Sequence, residues 1–394
     1  VDQSVLVINC GSSSIKFALY PNANASQPSI KALAERLGEQ SPLVSIKGDI
    51  NEHISLPAGS AHQEALSTFL DTCKNQLQHL VGIGHRVVHG GETFSESTLL
   101  DADTIAQLHR VSDLAPLHNP VNLLGIELCQ QLRPELPNIA VFDTAFHQTM
   151  DEQAYLYAVP YDWYQNAGVR RYGFHGTSYR YVSAEAARLL NRDPNQLNMI
   201  IAHLGNGCSA CAVANGRSVD TTMGLTPLEG LVMGSRSGDI DPGMIDYMVH
   251  HQGKTLEQVS SDLNRNSGLK GLSGLSNDMR TLLQAEADGD HNAKRAVDVF
   301  CFRAARQLAG LAASLPSIDA MVFTGGIGEH ANVVRQRILS AWRSAAFRLD
   351  HDLNNANGDQ AGRITVSGSP LAMVVATDEE RMIAQDTYQL VNHD

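Results

Sequence analysis

Val5-Leu6-Val7-Ile8-Asn9-Cys10-Gly11-Ser12-Ser13-Ser14-Ile15-Lys16-Phe17-Ala18-Leu19-Tyr20 reads as a strand, a tight turn of small hydroxyl residues, and a second strand. An apolar run stops at Asn9, Gly11 lets the chain turn, and alternation resumes after Ser14. Backbone N–H groups and the hydroxyls of Ser12, Ser13 and Ser14 crowd the tip, with the ammonium of Lys16 close behind. That composition suits a phosphate cradle built without a helix N-terminus. Taken alone, it also suits an ordinary serine-rich hairpin.

The pattern returns close to halfway along the 394-residue chain. Met199–Ala202 reads as a strand, His203-Leu204-Gly205-Asn206-Gly207 as a glycine turn, and 208–213 as a second strand. Few residues are identical, so the echo is one of pattern. It predicts two similar halves, each offering a glycine hairpin to a nucleotide across a cleft. The expected lobes are residues 1–147, rejoined by a final helix over 380–394, and residues 148–379.

Length favours two domains. Hydrophobic residues make up 43% and charged residues 18%, which describes a globular protein, and 32 glycines point to many tight turns. The net charge of −13 disfavours nucleic acid and anionic membranes as partners, so a bound phosphate must be held by a few placed cations. No apolar run has the length of a membrane span, and no basic segment leads into an apolar one at the start. The sequence opens at Val1 rather than Met, which leaves room for a trimmed start. Six scattered cysteines fit a reducing cytoplasm. Cys208 and Cys211 have a redox spacing, but a strand would point them to opposite faces.

Strand and helix alternate through much of the chain, which predicts an α/β fold with mixed or parallel sheets. Helical spacing runs over Gln63–Leu80, 178–190 and Glu379–Val391 among others, and strands are expected at 84–89, 139–142, 320–324, 364–367 and 371–376.

Several stretches carry chemistry. A strand over 84–89 puts Arg86 and Val88 on one face, a guanidinium beside a small apolar group. Asn119 reads as an N-cap and Pro120 as the first helical residue, placing His118 just outside a helix start. Asp143 ends an apolar strand, where it is either a ligand-facing carboxylate or a turn residue. His175 likewise precedes a helix, where anions bind. Glycines flank Arg236 and leave its guanidinium free to fork onto phosphate oxygens. In Thr324-Gly325-Gly326-Ile327-Gly328-Glu329-His330-Ala331, the glycines and Ala331, with Asp350 further on, also match a dinucleotide fingerprint, so a nicotinamide-dependent dehydrogenase is a rival. Thr377 and Glu380 have capping-box spacing, and Glu379 either helps ligate a metal or answers the helix dipole.

Together these stretches resemble the acetate kinase family, within the superfamily of acetate and sugar kinases, Hsp70 and actin. The matching runs, in family order, are NCGSSSIK, GHRVVHGGE, LAPLHNP, VFDTAFHQTM, RRYGFHGTS, HLGNG, TPLEGLVMGSRSGD, FTGGIGE and TDEE, spanning residues 5–381. The resemblance implies a two-lobed, duplicated ribonuclease-H-like fold with an interlobe active-site cleft. It implies reversible transfer of phosphate from ATP to acetate, giving acetyl phosphate and ADP, with Mg²⁺ (or Mn²⁺) as cofactor and a cytoplasmic homodimer. It also implies roles. Asp143, His175, Arg236, Arg86 and His118 match catalytic positions, and Arg86, Val88, Leu117, Phe174 and Pro227 match the substrate pocket. Ser12, Ser14, Lys16, His203, Leu204, Gly205, Asn206, Gly207, Asp278, Met279, Arg280, Gly326, Ile327, Gly328, Glu329 and His330 match nucleotide contacts. Asn9 and Glu379 match metal positions.

Tyr179, Asp378 and His330 depart from the family pattern, standing where a histidine, an asparagine and an asparagine are common. A carboxylate substrate is already ionised at neutral pH, so no general base is needed and catalysis reduces to positioning and charge stabilisation. Direct in-line transfer is the expectation, with a phosphoenzyme on Glu379 as its alternative. A propionate kinase and a nucleotide-switched binding protein of the Hsp70 or actin kind are the other readings.

Overall fold

Strand β1 (Ser4–Gly11) is apolar at every position from Val5 to Ile8, as a strand covered on both faces must be. The computed structural model, which describes residues 3–392, places it inside an eight-stranded sheet. With it run β2 (Ser14–Tyr20), β3 (Ile30–Glu35), β4 (Leu43–Gly48), β5 (Glu52–Ser55), β6 (Leu80–Val87), β7 (Thr98–Leu99) and β8 (Asn138–Phe142). The spatial order is β5-β4-β3-β2-β1-β6-β8-β7. β1 turns back into β2 as an antiparallel hairpin, whereas β1, β6 and β8 run parallel and end at one edge.

Period-two alternation assigns the two faces. Leu6 and Ile8 join Phe17 and Phe69 in one core, where the Phe17 and Phe69 rings stack at 4.2 Å. Val5 and Val7 join Ile139, Val141, Ile383 and Tyr388 in the other. Burying each such side chain stabilises the fold by roughly 1.5–3 kcal/mol. The second core is closed by the helix Glu379–Val391, which returns to this sheet from late in the chain. Its approach depends on glycine, since a Cβ at Gly82 would stand 2.8 Å from a Val391 methyl. This unit therefore comprises the chain up to Phe146 and again from Asp378.

The other unit, His147–Thr377, is built on five strands. They are β9 (Asn198–Leu204), β10 (Cys208–Ala214), β11 (Arg217–Thr221), β12 (Ala320–Thr324) and β13 (Ala372–Val374), in the order β11-β10-β9-β12-β13. β9 and β10 form an antiparallel hairpin, and β12 and β13 follow in parallel on the other side of β9. That is the arrangement of β2, β1, β6 and β8 over again. Two mixed α/β sheets of like order constitute the duplicated ribonuclease-H-like fold.

Four local expectations are corrected. The helix expected over 63–80 is His62–Thr72, followed by turns until β6 opens at Leu80. Leu66, Phe69, Cys73, Leu77 and Leu80 keep helical spacing and are buried, but the last three come from turns and a strand. β6 ends at Val87 and the chain bends at Val88, so Arg86 and Val88 do not share a strand face. Beyond the strand, side-chain amides take over the ladder. Val88 N–H donates to Asn122 Oδ1 and His89 N–H to Asn119 Oδ1, each at 3.0 Å.

Asn119 is therefore no N-cap; it is the first residue of the helix Asn119–Leu132, and His118 holds the cap position. Finally, 364–367 is not a strand, Thr365 and Arg363 making only isolated bridges to Leu349 and Met373. Asp350 caps the short helix His351–Asn355 by accepting from the Asp352 and Leu353 N–H groups, which occupies the carboxylate a dinucleotide fingerprint would aim at a ribose.

Candidate active site

In the first unit, one face and one edge of the sheet collect the charged groups. Asn9 pairs across the hairpin with Lys16, so their side chains share a face. Asn9 continues the parity of Val5 and Val7, Arg86 that of Gly82 and Gly84, and Asp143 that of Ile139 and Val141. All therefore lie on the face covered by Glu379–Val391, at the edge where the parallel strands end. The helix passes Val391 and Thr387 over Gly82, then Thr387 and Ile383 over Gly84, and so carries Glu379 toward Arg86.

Arg86 makes a two-point contact with Asp143, Nε donating to Oδ1 at 3.0 Å and Nη2 to Oδ2 at 2.7 Å. The Asp143 carboxylate raises the guanidinium pKa further, so Arg86 is permanently charged. Burial pushes the Glu379 carboxyl up from 4.5; Arg86 and Lys16 pull it back, and Asp143 adds to the rise. Glu379 Oε1 is buried with no hydrogen-bond partner among the described residues. Asp378, not Thr377, caps this helix, accepting from the Arg381 N–H at 3.1 Å.

At the hairpin tip Ser12 and Lys16 are exposed and Ser14 half-buried, and His62 Nε2 lies 2.7 Å from the Gly11 carbonyl oxygen. Among the described residues no group of three or more His, Cys, Asp or Glu is arranged to hold a metal. An amide and two carboxylates suit instead a hard cation that completes its shell with water and phosphate oxygens. The orphaned Glu379 oxygen offers the lone pair such an ion needs. His118 is half-buried at its helix start, and neighbouring Leu117 is 57% exposed. Val88 is buried.

In the second unit the chemistry gathers at the tip of the β9–β10 hairpin. His175 is the N-cap of the helix Gly176–Leu189 and holds φ at +57°, a left-handed conformation unusual outside glycine. Its ring stacks on His203, with centroids 4.2 Å apart. Each ring is held at Nδ1 by a serine: Ser209 Oγ lies 2.7 Å from His175 Nδ1, and Ser178 Oγ lies 2.8 Å from His203 Nδ1. Gly207 leaves room for what converges on it, since a Cβ there would stand 2.7 Å from Arg236 Nη2 and 3.5 Å from His175 Nε2. Arg236 Nη1 donates to the Pro227 carbonyl at 2.5 Å, which sets the direction of the fork. Phe174 is buried, its carbonyl 2.9 Å from His147 Nε2.

Thr324 pairs with His203 across parallel strands, so the helix Gly325–His330 starts at the same edge as the 203–207 turn. Glu329 Oε1 accepts from the Gly325 and Thr377 N–H groups, at 3.0 and 3.1 Å, and so ties that helix to the β13 exit. Gly326 and His330 are exposed, Ile327 half-buried and Gly328 buried. Leu204 and Met279 have buried side chains, which leaves only their main chains to meet a ligand. Asn206 Oδ1 accepts from Asn277 Nδ2 at 3.1 Å. Asp278 caps the helix Met279–Ala287, and the Arg280 N–H bond to it lowers its pKa. Arg280 lies beside it, largely exposed.

Sequence reasoning missed the supports. Ser209, Asn122 and Arg335 lie outside every motif, while Asn119 and Ser178 lie inside LAPLHNP and RRYGFHGTS without their supporting roles being read. That arginine is fully buried and donates to the Gly328 and Glu329 carbonyls and to Asn354. The thiols expected to face opposite ways do have different partners, Cys208 the Gly205 carbonyl and Cys211 the Ser218 hydroxyl, and burial pushes both pKa values up. No helix among the described residues is long and apolar enough to cross a membrane.

Two mixed α/β sheets, each carrying a glycine-turned hairpin, define the class of fold. Comparison with known proteins narrows the class. The Acetokinase family model matches residues 4–385. A Stutzerimonas stutzeri protein named acetate kinase is 51% identical over 392 residues, covering 99% of each chain. A Francisella tularensis propionate kinase structure superposes with a TM-score of 0.94 at 44% identity, over 98% of this chain and 99% of that one. A Porphyromonas gingivalis acetate kinase structure gives 0.92 at 37% identity, over 99% and 100%. The chain belongs to the acetokinase family.

Proposed function

We propose that this chain phosphorylates acetate with ATP, reversibly, to acetyl phosphate and ADP, by direct in-line transfer. The observation that carries the reading is the Arg86–Asp143 pair with Glu379 brought over it, a fixed cation and two carboxylates at one sheet edge. Arg86 binds the substrate carboxylate, and Asp143 holds the guanidinium in the plane that permits it. Glu379 and Asn9, with Asp143 beside them, would hold Mg²⁺, whose contribution when bound is to neutralise charge on the phosphate oxygens. His175 and Arg236 donate to the transferring phosphoryl group, with His118 as a further donor.

The nucleotide takes the 203–207 turn, Asp278 to Arg280 and the helix Gly325–His330, with Ser12, Ser14 and Lys16 at the phosphates. Val88, Leu117, Phe174 and Pro227 bound the acyl group and set the preference for acetate over propionate. Engagement of Glu379 as a metal ligand favours direct transfer over a phosphoenzyme.

A cytoplasmic homodimer belongs to the same reading. The helix Gly243–Gln252 supports the dimer, because none of its residues is buried and it exposes Met244 and Tyr247. The deciding experiment is ADP formation from ATP and Mg²⁺ with formate, acetate, propionate or butyrate. Acetate-dependent turnover is expected, falling with chain length beyond acetate. ADP release no faster than in a carboxylate-free blank overturns the proposal.

A further inference from the structure

We propose that Tyr179 is a positioning residue for His175, acting through the Ser209 hydroxyl to keep the imidazole proton on Nε2, where it meets the phosphoryl group. The inference rests on the role just proposed for His175. Tyr179 lies one helical turn after His175, in the first turn of Gly176–Leu189, and is fully buried. Its hydroxyl bonds to Ser209 Oγ, the same atom that lies 2.7 Å from His175 Nδ1. Its ring also meets His147 edge-on at 5.6 Å.

Ser209 has one proton to give, so the chain of three groups can run in two directions. Either Tyr179 donates to Ser209 and Ser209 donates to Nδ1, or Nδ1–H donates to Ser209 and Ser209 donates to Tyr179. A phenol is a better donor than an aliphatic hydroxyl, and an imidazole nitrogen is a better acceptor than a phenol oxygen. The first direction therefore prevails, Nδ1 accepts, and the proton resides on Nε2. That nitrogen is the one beside Gly207, where Arg236 Nη2 also arrives. A phosphoryl oxygen there meets two donors. In the opposite tautomer it would meet a lone pair.

Stacking against His203 makes the arrangement matter more. The stack fixes the plane of the imidazole, so the position of its proton decides whether Nε2 donates. A buried tyrosine four residues after the catalytic histidine thus does chemistry at one remove.

The test uses the full-length protein with ¹⁵N-labelled histidine, His175 being assigned by its loss in His175→Gln. Long-range proton–nitrogen correlation is expected to show Nδ1 unprotonated and Nε2 protonated in wild type, and a tautomer mixture in Tyr179→Phe and Ser209→Ala. Ser209→Thr, which keeps the hydroxyl, retains the wild-type nitrogen shifts. Kcat falls about tenfold in Tyr179→Phe, with KM for ATP and acetate within about twofold. Tyr179→Phe combined with Ser209→Ala is no worse than the weaker single variant, because one chain of bonds is being cut twice. If Tyr179→Phe does not fold, Ser209→Ala alone carries the same readouts. Wild-type nitrogen shifts in the variants, or losses that add, overturn the inference. A wild type with the expected tautomer but no acetate-dependent turnover overturns the proposed function instead.

Discussion

Gly84 and Thr387 approach so closely that a Cβ on Gly84 would stand 2.3 Å from the Thr387 hydroxyl oxygen. A contact on a strand facing a helix is ordinarily a matter of stability alone. Here the helix also delivers Glu379, so packing and chemistry are coupled. Gly84→Ala is expected to destabilise the fold by about 1–3 kcal/mol through overpacking. It should also raise the Mg²⁺ concentration needed for half-maximal rate, as the helix start moves off Arg86. Thr387→Ala in the same chain should recover part of both. Activity with an unshifted Mg²⁺ titration in Gly84→Ala would separate the two effects and refute the coupling.

Arg86 and Arg236 are both expected to be indispensable. Replacing either with Ala should lower kcat/KM by roughly 10²- to 10⁵-fold, as a charged oxygen loses its partner. Lysine should restore only part, because it cannot fork. Steady-state kinetics on the four variants checks this, and near-wild-type turnover in both alanine variants is the outcome that fails it.

Glu379 and His85 predict opposite pH dependences of stability. For Glu379 the folded state keeps its proton longer than the unfolded state, because burial raises its pKa above the ordinary 4.5. Stability from this group is therefore greatest below 4.5 and is lost as pH rises toward the folded value. At neutral pH the buried charge is a standing cost in the metal-free protein. Glu379→Gln should raise the metal-free Tm by roughly 1–3 °C and shrink the further rise produced by Mg²⁺ with ADP. A calorimetric scan showing neither change would remove Glu379 from the metal site.

His85 is buried, its Nε2 2.7 Å from Asn138 Oδ1, and burial lowers its pKa from 6.5 to about 4. Below 6.5 the unfolded chain takes up this proton and the folded one does not. Its contribution is thus complete above 6.5 and is lost as pH falls toward 4, by at most about 3 kcal/mol. Urea midpoints between pH 7.5 and 4.5 should drop less steeply in His85→Gln than in wild type. Parallel pH profiles would count against the assignment.

Val88 should tune acyl choice. One methylene is worth about 10–200-fold in discrimination, so propionate should be a poor substrate rather than an excluded one. Val88→Ala should move the kcat/KM ratio toward propionate, mainly through better use of propionate. A ratio untouched by the substitution would place the acyl group elsewhere.

Much of this was legible in the sequence. Both hairpins, the strand over 320–324 and the helix Glu379–Val391 fall where turn residues and periodicity place them, because local chemistry decides them. The end of β6 was not legible. Asn119 and Asn122, some thirty residues on, supply the amides that replace a strand partner at Val88 and His89. The grouping of Asn9, Arg86, Asp143 and Glu379 on one face was half-legible, since parity gives the face but only the pairing register gives the edge. Ser209 and Arg335 were invisible, being a small and a charged residue whose meaning comes entirely from distant partners.

The return of Glu379–Val391 to the first sheet also orders events in time. During synthesis the strands β1 to β8 emerge early, yet the helix that closes their second core follows only after all of His147–Thr377 has been made. Until then Val5, Val7, Ile139 and Val141 lack their cover, and the edge that gathers Arg86 and Asp143 lacks Glu379. A ribosome that stalls before this helix thus releases a chain with an exposed apolar sheet face, a substrate for chaperones and proteases. The same late arrival keeps the newborn chain from assembling its second acidic group, so completion of folding and onset of catalysis coincide.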